Sequence, residues 1–239
     1  MNIFANSQEV EVQQERDSVG RQAVPTNLYP VAVKNAYVDY YPAGSAYISV
    51  ELDVIVEGQK EPSKVFMREI IWSATTKGDF YIDKKTGAKR QLMGKAKMDS
   101  LSKVLTGKGL EELFATGEVV NKMQKLRKDG KEVLEERVTM VPWIEAGQFH
   151  AGIQRVIKNK QIKQGDKYVN TSEKITENEV VKFFDAQLRT NAEIADNAPA
   201  THHAQWTEAY AGKDRNLFKE VSAPATGIPT ASTAVQLNI

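Results

Sequence analysis

The chain has 239 residues, of which 41% are hydrophobic and 26% are charged, so it can form one or two globular domains with a real core. It contains no cysteine, which excludes disulfides, thiol catalysis and cysteine-ligated zinc. No apolar run reaches the length of about eighteen residues that a membrane span needs. The first residues have neither the basic nor the apolar region of a secretory leader, so we expect a cytoplasmic protein.

The net charge of +1 conceals an uneven distribution of charge along the chain. Residues 64–168 carry 22 basic and 13 acidic groups, whereas residues 1–63 carry 4 and 9, and residues 169–239 carry 6 and 9. Two runs are especially basic: Lys84–Lys108 has eight basic residues and one acid, and Arg155–Lys167 has five and one. This asymmetry indicates a polyanionic partner for the middle of the chain. A solvated lysine-rich surface is the alternative interpretation.

The predicted elements begin after a polar segment, residues 1–26, which we interpret as a flexible arm. Residues 28–41 predict a first strand, and residues 46–56 alternate between apolar and polar side chains as a half-buried strand does. That alternation places Tyr47 on the solvated face. Residues 64–74 predict a third strand, and the three strands are expected to form an antiparallel meander.

The middle of the chain mixes hairpins with a helix. Thr86-Gly87 marks the turn of a short hairpin, and residues 95–105 change to the helical period before a glycine-rich stop. Asp129-Gly130 predicts the turn of a charged hairpin. Residues 148–157 alternate as another strand, and residues 158–170 continue it as a strand or an extended loop.

The C-terminal third is expected to be helical. The residues Thr176 to Glu179 match a capping box, which predicts a helix through residue 189. Residues 202–210 and 214–220 predict two further helical segments, and the Ala-, Thr-, Ser- and Pro-rich residues 223–239 predict a flexible tail.

The overall prediction is an α+β, mainly β fold. Three meandering strands, a helix and two more strands follow the order of an OB-like antiparallel β-barrel, which has a helix between its third and fourth strands. We therefore predict an arm over residues 1–26, an OB-like domain over 27–190, a helical C-terminal extension over 191–222 and a tail over 223–239.

Several segments carry a resemblance to a known family. They read LYPVAVKNAYVDYYPAGSAYISVELDV, FMREIIWSATTKG, KAKMDSLSKVLTGKGLEELF and QFHAGIQRVIKNKQIKQGDKYVNTSEKITENEVVKFF. Across roughly residues 27–185 the chain resembles bacteriophage single-stranded DNA-binding proteins of the OB type. The resemblance implies a non-enzymatic protein of the host cytoplasm that coats or protects single-stranded DNA during replication or recombination.

The chain is also similar to the single-stranded DNA-binding RNA-polymerase cofactors of some podoviruses. That resemblance implies recruitment of a phage RNA polymerase, or of other replication or transcription proteins, to melted DNA. Many replication-type members end in an acidic tail, whereas residues 234–239 contain no acid. This departure disfavours partner recruitment through the tail.

Single-strand binding requires a cationic groove for the phosphates and exposed rings for base stacking. The aromatic candidates are Tyr47, Phe80, Tyr81 and Tyr168. The cationic candidates are Lys84, Lys85, Lys89, Arg90, Lys95, Lys97, Arg155, Lys158, Lys160, Lys163 and Lys167. Each aromatic candidate has a core or rim position as its alternative, and Trp72 and Phe149 are assigned to the core.

Other chemistry has little support in the sequence. The histidines are His150, His202 and His203, and the adjacent pair lacks the spacing at which two histidines on one helix bind a metal. Phosphate-binding glycine motifs and the nucleophile elbow are absent. We therefore predict no enzyme activity, no metal and no cofactor, and no association with a membrane. A structural β-barrel protein of the virion is the third functional alternative.

Overall fold

The computed structural model describes residues 23–116, 120–128, 131–164 and 167–221. The strands in these ranges are β1 (Asn27–Tyr40), β2 (Ala46–Val54), β3 (Ser63–Trp72), β4 (Phe80–Ile82), β5 (Lys89–Gln91), β6 (Val120–Lys128), β7 (Lys131–Met140), β8 (Gln148–Gln164), β9 (Lys167–Phe184) and β10 (Arg215–Asn216). The helices are α1 (Met93–Thr106), α2 (Leu110–Thr116), α3 (Asn191–Ala195) and α4 (His202–Tyr210). The prediction of a mainly β, antiparallel chain with helices is confirmed.

The predicted meander forms the centre of the main sheet. β2 lies between β1 and β3, and Val50 is paired with Ala36 on one side and with Met67 on the other. The apolar residues of β2 from Ile48 to Val54 are fully buried at every second position, as the alternation predicts. The inner face of the sheet therefore carries the core.

The long first strand connects two parts of the sheet. Its residues Asn27–Ala32 pair with β8, whereas Tyr37 and Val38 pair with β7. β9 pairs with β8, and the order across the sheet runs from β9 through β8, β1 and β2 to β3. Within the described residues no backbone ladder joins β3 to β9, so the sheet is open at that edge.

Helix α1 closes the core on the inner face of β3. Met98 and Leu101 are fully buried there, and Gly107 ends the helix with a left-handed φ of 75°. Gly94 lies so close to β3 that a Cβ atom would stand 2.4 Å from the carbonyl oxygen of Ile70. The first turn of the helix therefore needs glycine at this position.

The helix predicted from Thr176 is wrong, because this segment belongs to β9. The capping-box pattern is a local preference, and the 17-residue strand β8 offers a long antiparallel ladder that satisfies the same backbone groups. A capping box does occur further on, between Thr190 and Glu193, where it begins α3.

The hairpin of β8 and β9 extends well beyond the sheet. We call residues 158–164 and 167–175 the arm; almost all of them are exposed or half-buried. Lys163 stands opposite Tyr168 near its end, and Lys158 stands opposite Ile175 at its base. Residues 217–219 pack on the base of the arm at Asn159 and Lys174, and the rest of the arm is exposed or half-buried.

The predicted helix at residues 214–220 is wrong as well. This segment forms the short strand β10, which runs parallel to β8. The side chain of Asn159 then holds the segment, since it accepts a hydrogen bond from the Lys219 N–H and donates one to the Lys219 carbonyl. These contacts replace the intrahelical hydrogen bonds, whereas the helix predicted at 202–210 is confirmed as α4.

The segment before β1 also packs on the sheet. Val24 is buried, and its N–H and carbonyl both bond to the side-chain amide of Asn178 in β9. The Thr26 hydroxyl accepts a hydrogen bond from the Arg155 N–H. Of the predicted arm over residues 1–26, residues 1–22 lie outside the described residues, as does the predicted tail over 223–239.

Candidate nucleic-acid interface

A row of exposed side chains runs along β3. Phe66, Arg68 and Ile70 lie on its outer face, and Trp72 follows after a register shift and pairs with Ala46; we call these four residues the β3 row. The apolar members are between 38% and 55% exposed, whereas Val65 and Met67, which alternate with them, are buried. At about 3.3 Å per residue, the row is about 20 Å long. Exposed apolar groups in a contiguous row mark a binding surface more often than isolated ones do.

Arg68 lies across the ring of Tyr47, with 4.6 Å between the guanidinium carbon and the ring centroid. No carboxylate forms an ion pair with Arg68 in the part of the chain that the structure describes. The guanidinium is thus held flat on an aromatic support, and its N–H groups stay available for an anion.

Tyr47 is therefore a support and not a direct contact, which corrects the prediction of an exposed ring. Only 3% of this residue is exposed. Burial raises the pKa of its hydroxyl, and the hydrogen bond that it donates to Asp39 Oδ2 at 2.6 Å raises that pKa further. The period-2 argument placed Tyr47 on the outer face correctly, but Arg68 and the neighbouring Tyr41 ring cover it.

The hairpin of β4 and β5 carries free cations at its turn. Lys84 and Lys85 are exposed, and neither pairs with a carboxylate of the described residues. Backbone N–H groups of Lys85 and Thr86 donate to Asp83 and lower the pKa of that carboxyl. The turn therefore presents both lysines on a fixed backbone.

The other candidates on this hairpin already have partners. The Lys89 ammonium lies 4.8 Å from the centroid of the Phe80 ring, and Arg90 forms a 2.9 Å ion pair with Asp83. Phe80 is half-buried. Tyr81, on the opposite face of the hairpin, is 38% exposed and can offer a ring for stacking.

Lys95 and Lys97 fasten helix α1 to its surroundings, which argues against their prediction as DNA contacts. Lys95 is buried and donates to both Asp79 and Glu111, and Lys97 donates to Glu69 of β3. Their positions on the helix turn them toward the core side of the molecule. A count of positive charge along the sequence cannot show this.

The base of the β8–β9 hairpin is also largely neutralised. Arg155 donates from Nε and Nη2 to Asp214 Oδ2 at 2.8 and 2.7 Å. Lys158 pairs with Glu177 at 2.6 Å, and Lys160 pairs with Glu173 at 2.9 Å. These acids stand opposite the lysines because residues 173–177 form part of β9, whereas a helix was predicted from Thr176 onward.

The end of the arm keeps a free cationic and aromatic group. Lys163, Lys167 and Tyr168 are exposed, and none of them has an ion-pair partner within the described ranges. Tyr168 is 69% exposed and stands directly across the ladder from Lys163. The three candidates are thus brought together at one end of the hairpin.

The register of the sheet fixes how these groups are arranged. Trp72 pairs with Ala46 next to the β1–β2 turn, and the β4–β5 hairpin follows from this end of β3. The arm leaves the sheet beyond the start of β1, where Asn27 pairs with Ile153. The two sets of free lysines therefore lie toward opposite ends of the strand direction, and the β3 row runs along that direction.

Sequence reasoning missed the β3 row, because FMREIIW has no apolar–polar alternation that would separate an outer face from an inner one. Only the two-residue period of a strand places Phe66, Arg68 and Ile70 on one face. The prediction of a core position for Trp72 is wrong, because Trp72 is 38% exposed. The core position predicted for Phe149 is confirmed.

Among the described residues, other kinds of site are not evident. The described residues contain no group of three or more His, Asp or Glu side chains placed to hold a metal ion. The ring of His150 contacts the Asp185 carbonyl, and the ring of His202 packs on Phe184. No helix in the described ranges is long and apolar enough to cross a membrane.

Comparisons with protein-family models, with curated proteins and with solved structures give no match to this chain.

Proposed function

We propose that this chain is a non-enzymatic single-stranded DNA-binding protein that holds the strand along the β3 row. The observation that carries the proposal is the exposure of Phe66 and Trp72 on either side of Arg68, whose guanidinium has no carboxylate partner in the described residues. Rings for stacking beside a planar cation for phosphate are the combination that single-strand binding needs.

The order of the strands supports an OB-like assignment. β1, β2 and β3 form a meander, α1 follows, and the β8–β9 hairpin returns to pair with β1. In OB folds the face of strands 2 and 3, with its flanking loops, binds oligonucleotides. We infer that the β6–β7 hairpin is an insertion into this plan. The β3 row then occupies the face on which an OB domain binds its ligand.

The free lysines at both ends give the proposal its electrostatic part. A strand that crosses the β3 row can reach Lys84 and Lys85 in one direction, and a longer strand can extend toward the arm in the other. Each phosphate contact with a lysine releases counterions, so affinity falls as salt rises, with a slope of about −0.7 per contact for single strands. The assembly would coat or protect single-stranded DNA in replication or recombination.

Fluorescence anisotropy with a labelled oligonucleotide tests the proposal. We expect the wild-type chain to prefer a single-stranded oligonucleotide over the duplex of the same sequence at moderate salt. Quenching of Trp72 should accompany binding, and it should disappear in the variant Trp72→Phe while the emission of the other two tryptophans stays. Equal affinity for the two DNA forms, or no measurable affinity for either, would refute the proposal.

A second candidate function rests on the apolar character of the same row. Phe66, Ile70 and Trp72 could serve as a docking surface for a protein, as exposed apolar groups often do. The chain would then be a transcription cofactor that binds single-stranded DNA and recruits a phage RNA polymerase. Under that proposal, row variants lose co-purification with the polymerase and keep their affinity for the oligonucleotide. Under the first proposal, they lose the affinity itself.

A further inference from the structure

A concave surface lies between α4 and the outer face of β8 and β9. It is a cleft of about 860 Å³ whose lining is mainly apolar. Trp206 of α4 fills the space over Gly152 of β8, where a Cβ atom would stand 2.8 Å from the indole ring. Tyr210 lies one helical turn further, with its ring centroid 5.3 Å from that of Trp206. The two aromatic side chains thus separate the helix from the sheet, and the cleft lies beside them.

Hydrogen-bonding groups of the cleft lack partners in the protein. Gln154 is 9% exposed and lines the cleft, and its side-chain amide forms no hydrogen bond within the described residues. The Oδ1 atom of Asp214, another residue of the lining, is buried and accepts no hydrogen bond from the described residues. A buried polar atom without a partner costs free energy unless water or a ligand satisfies it. These two side chains are therefore available to a ligand that carries its own donors and acceptors.

The rim of the cleft is cationic. Lys182 has no ion-pair partner in the described part of the chain, whereas Lys213 donates to the carbonyl groups at the end of α4. Arg215 pairs with Glu179 at 3.0 Å. Arg155 pairs with the Oδ2 atom of Asp214. The rim therefore favours an anionic group, and Lys182 is the side chain free to meet it.

We propose that this cleft binds a single nucleotide. The base stacks against the partly exposed ring of Tyr210, the amide of Gln154 bonds to its edge, and the phosphate lies toward Lys182. A side-chain amide can donate and accept at once, which matches the edge of a nucleobase. The cleft lies about three strands away from the β3 row across the sheet, so the inference does not depend on strand binding there.

Isothermal titration of the full-length chain with dAMP and with dTMP tests the proposal, and inorganic phosphate alone is the reference probe. We expect saturable binding of at least one mononucleotide that is stronger than binding of phosphate. The variant Gln154→Leu, which keeps the volume but removes the amide, should weaken it about tenfold. Because a change at a buried position can harm folding, two further variants are measured: Tyr210→Ala at an exposed position and Lys182→Ala at a half-buried one. Each should weaken binding several-fold.

The variant Arg68→Ala is the control, since it changes the β3 row and leaves the cleft intact. It should bind the mononucleotide as the wild type does, so that failure of either site is seen separately. Absence of saturable binding, affinity no better than that for phosphate, or full affinity in Tyr210→Ala and Lys182→Ala together would overturn the proposal. A 5′-phosphorylated oligonucleotide distinguishes the source: if it displaces the bound mononucleotide, the ligand is a unit of a strand, and if it does not, the ligand is a free nucleotide.

Discussion

The β3 row and the arm are both exposed and both combine rings with cations, but their charges are in different states. On the arm, Lys158 and Lys160 face glutamates across the ladder at 2.6 and 2.9 Å. In the β3 row, Arg68 faces an aromatic ring and keeps its N–H groups free of carboxylates in the described residues. The number of basic residues is larger on the arm, but the two at its base are already paired with acids. The side chain that faces a cation from the neighbouring strand therefore decides whether that cation is available to a phosphate.

The largest effect is expected from the rings of the β3 row. The double variant Phe66→Ala with Trp72→Ala should lower the affinity for single-stranded DNA about a hundredfold, because each base–aromatic stack contributes about 1–3 kcal/mol. The variant Lys158→Ala with Lys160→Ala, whose lysines are already paired, should lower it less than threefold. Anisotropy titrations at one salt concentration give both numbers. Leu217→Ala is the control: it removes a comparably exposed apolar side chain next to β10 and should leave the affinity for single-stranded DNA unchanged. Equal losses in the two double variants would erase the contrast between the regions.

The support behind the β3 row gives the second prediction. Gly94→Ala should destabilise the chain by about 1–3 kcal/mol, because the added Cβ would overlap the Ile70 carbonyl oxygen and push α1 off β3. Helix propensity alone has the opposite sign, since Ala stabilises a helix interior by about 1 kcal/mol relative to Gly. Urea unfolding measures the difference. A gain in stability would show that α1 is free to move away from β3. In that case α1 would not hold the β3 row in place.

Ion pairing on the arm can be removed by a change on its acidic strand. Glu173→Gln with Glu177→Gln should free Lys160 and Lys158 and raise the affinity for single-stranded DNA several-fold. The salt dependence should steepen by about 0.7 for each lysine that gains a phosphate. Glu208→Gln with Glu220→Gln removes the same charge from acids that form no ion pair among the described residues, so it is the matched control. An equal gain in both variants would mean that net charge, and not ion pairing on the arm, limits the affinity for single-stranded DNA.

The smallest effect concerns neither surface but the carboxylate of Glu193 in α3. Burial would raise the pKa of Glu193, yet N–H groups of Thr190, Thr201 and His202 donate to its carboxylate and hold that pKa well below its usual range. Because the folded pKa is depressed, this stabilisation is present above the ordinary value near 4.5 and is lost as the pH falls through the lowered value. Glu193→Gln should therefore melt at a lower temperature than the wild type at pH 7, and the gap should narrow toward pH 3. A constant gap across that range would contradict the assignment.

The sequence predicted the elements whose local pattern agrees with their surroundings. The strands of the meander alternate, α1 has a clear helical stripe, and α4 follows its expected bounds. It failed at residues 176–189, where a capping-box pattern competes with a ladder to β8 that lies distant in the chain. A local sequence pattern carries no information about a partner strand that is distant in the chain. It therefore predicted a helix where the segment pairs with β8.

For the candidate site, the sequence revealed charges and rings but not their partners. Lys84, Lys85 and Tyr168 could be chosen because they stand in basic runs, and they are exposed. The pairing of Arg155 with Asp214 spans 59 residues and depends on the path of β10. The β3 row has no alternating apolar pattern in the sequence, and the expectation that tryptophan belongs in the core hid Trp72 as well.

The fastening of β10 implies that the molecule opens in separate steps. Two residues of parallel ladder, the amide of Asn159 and the ion pairs Arg155–Asp214 and Glu179–Arg215 hold this segment, whereas the β8–β9 ladder beneath it is long. The segment can therefore detach without breaking the hairpin, as a small cooperative unit of its own. In hydrogen exchange, the N–H groups of Leu217 and Lys219 should exchange together and much faster than those of β8. Asn159→Ala should speed up that exchange while leaving the β8–β9 ladder protected.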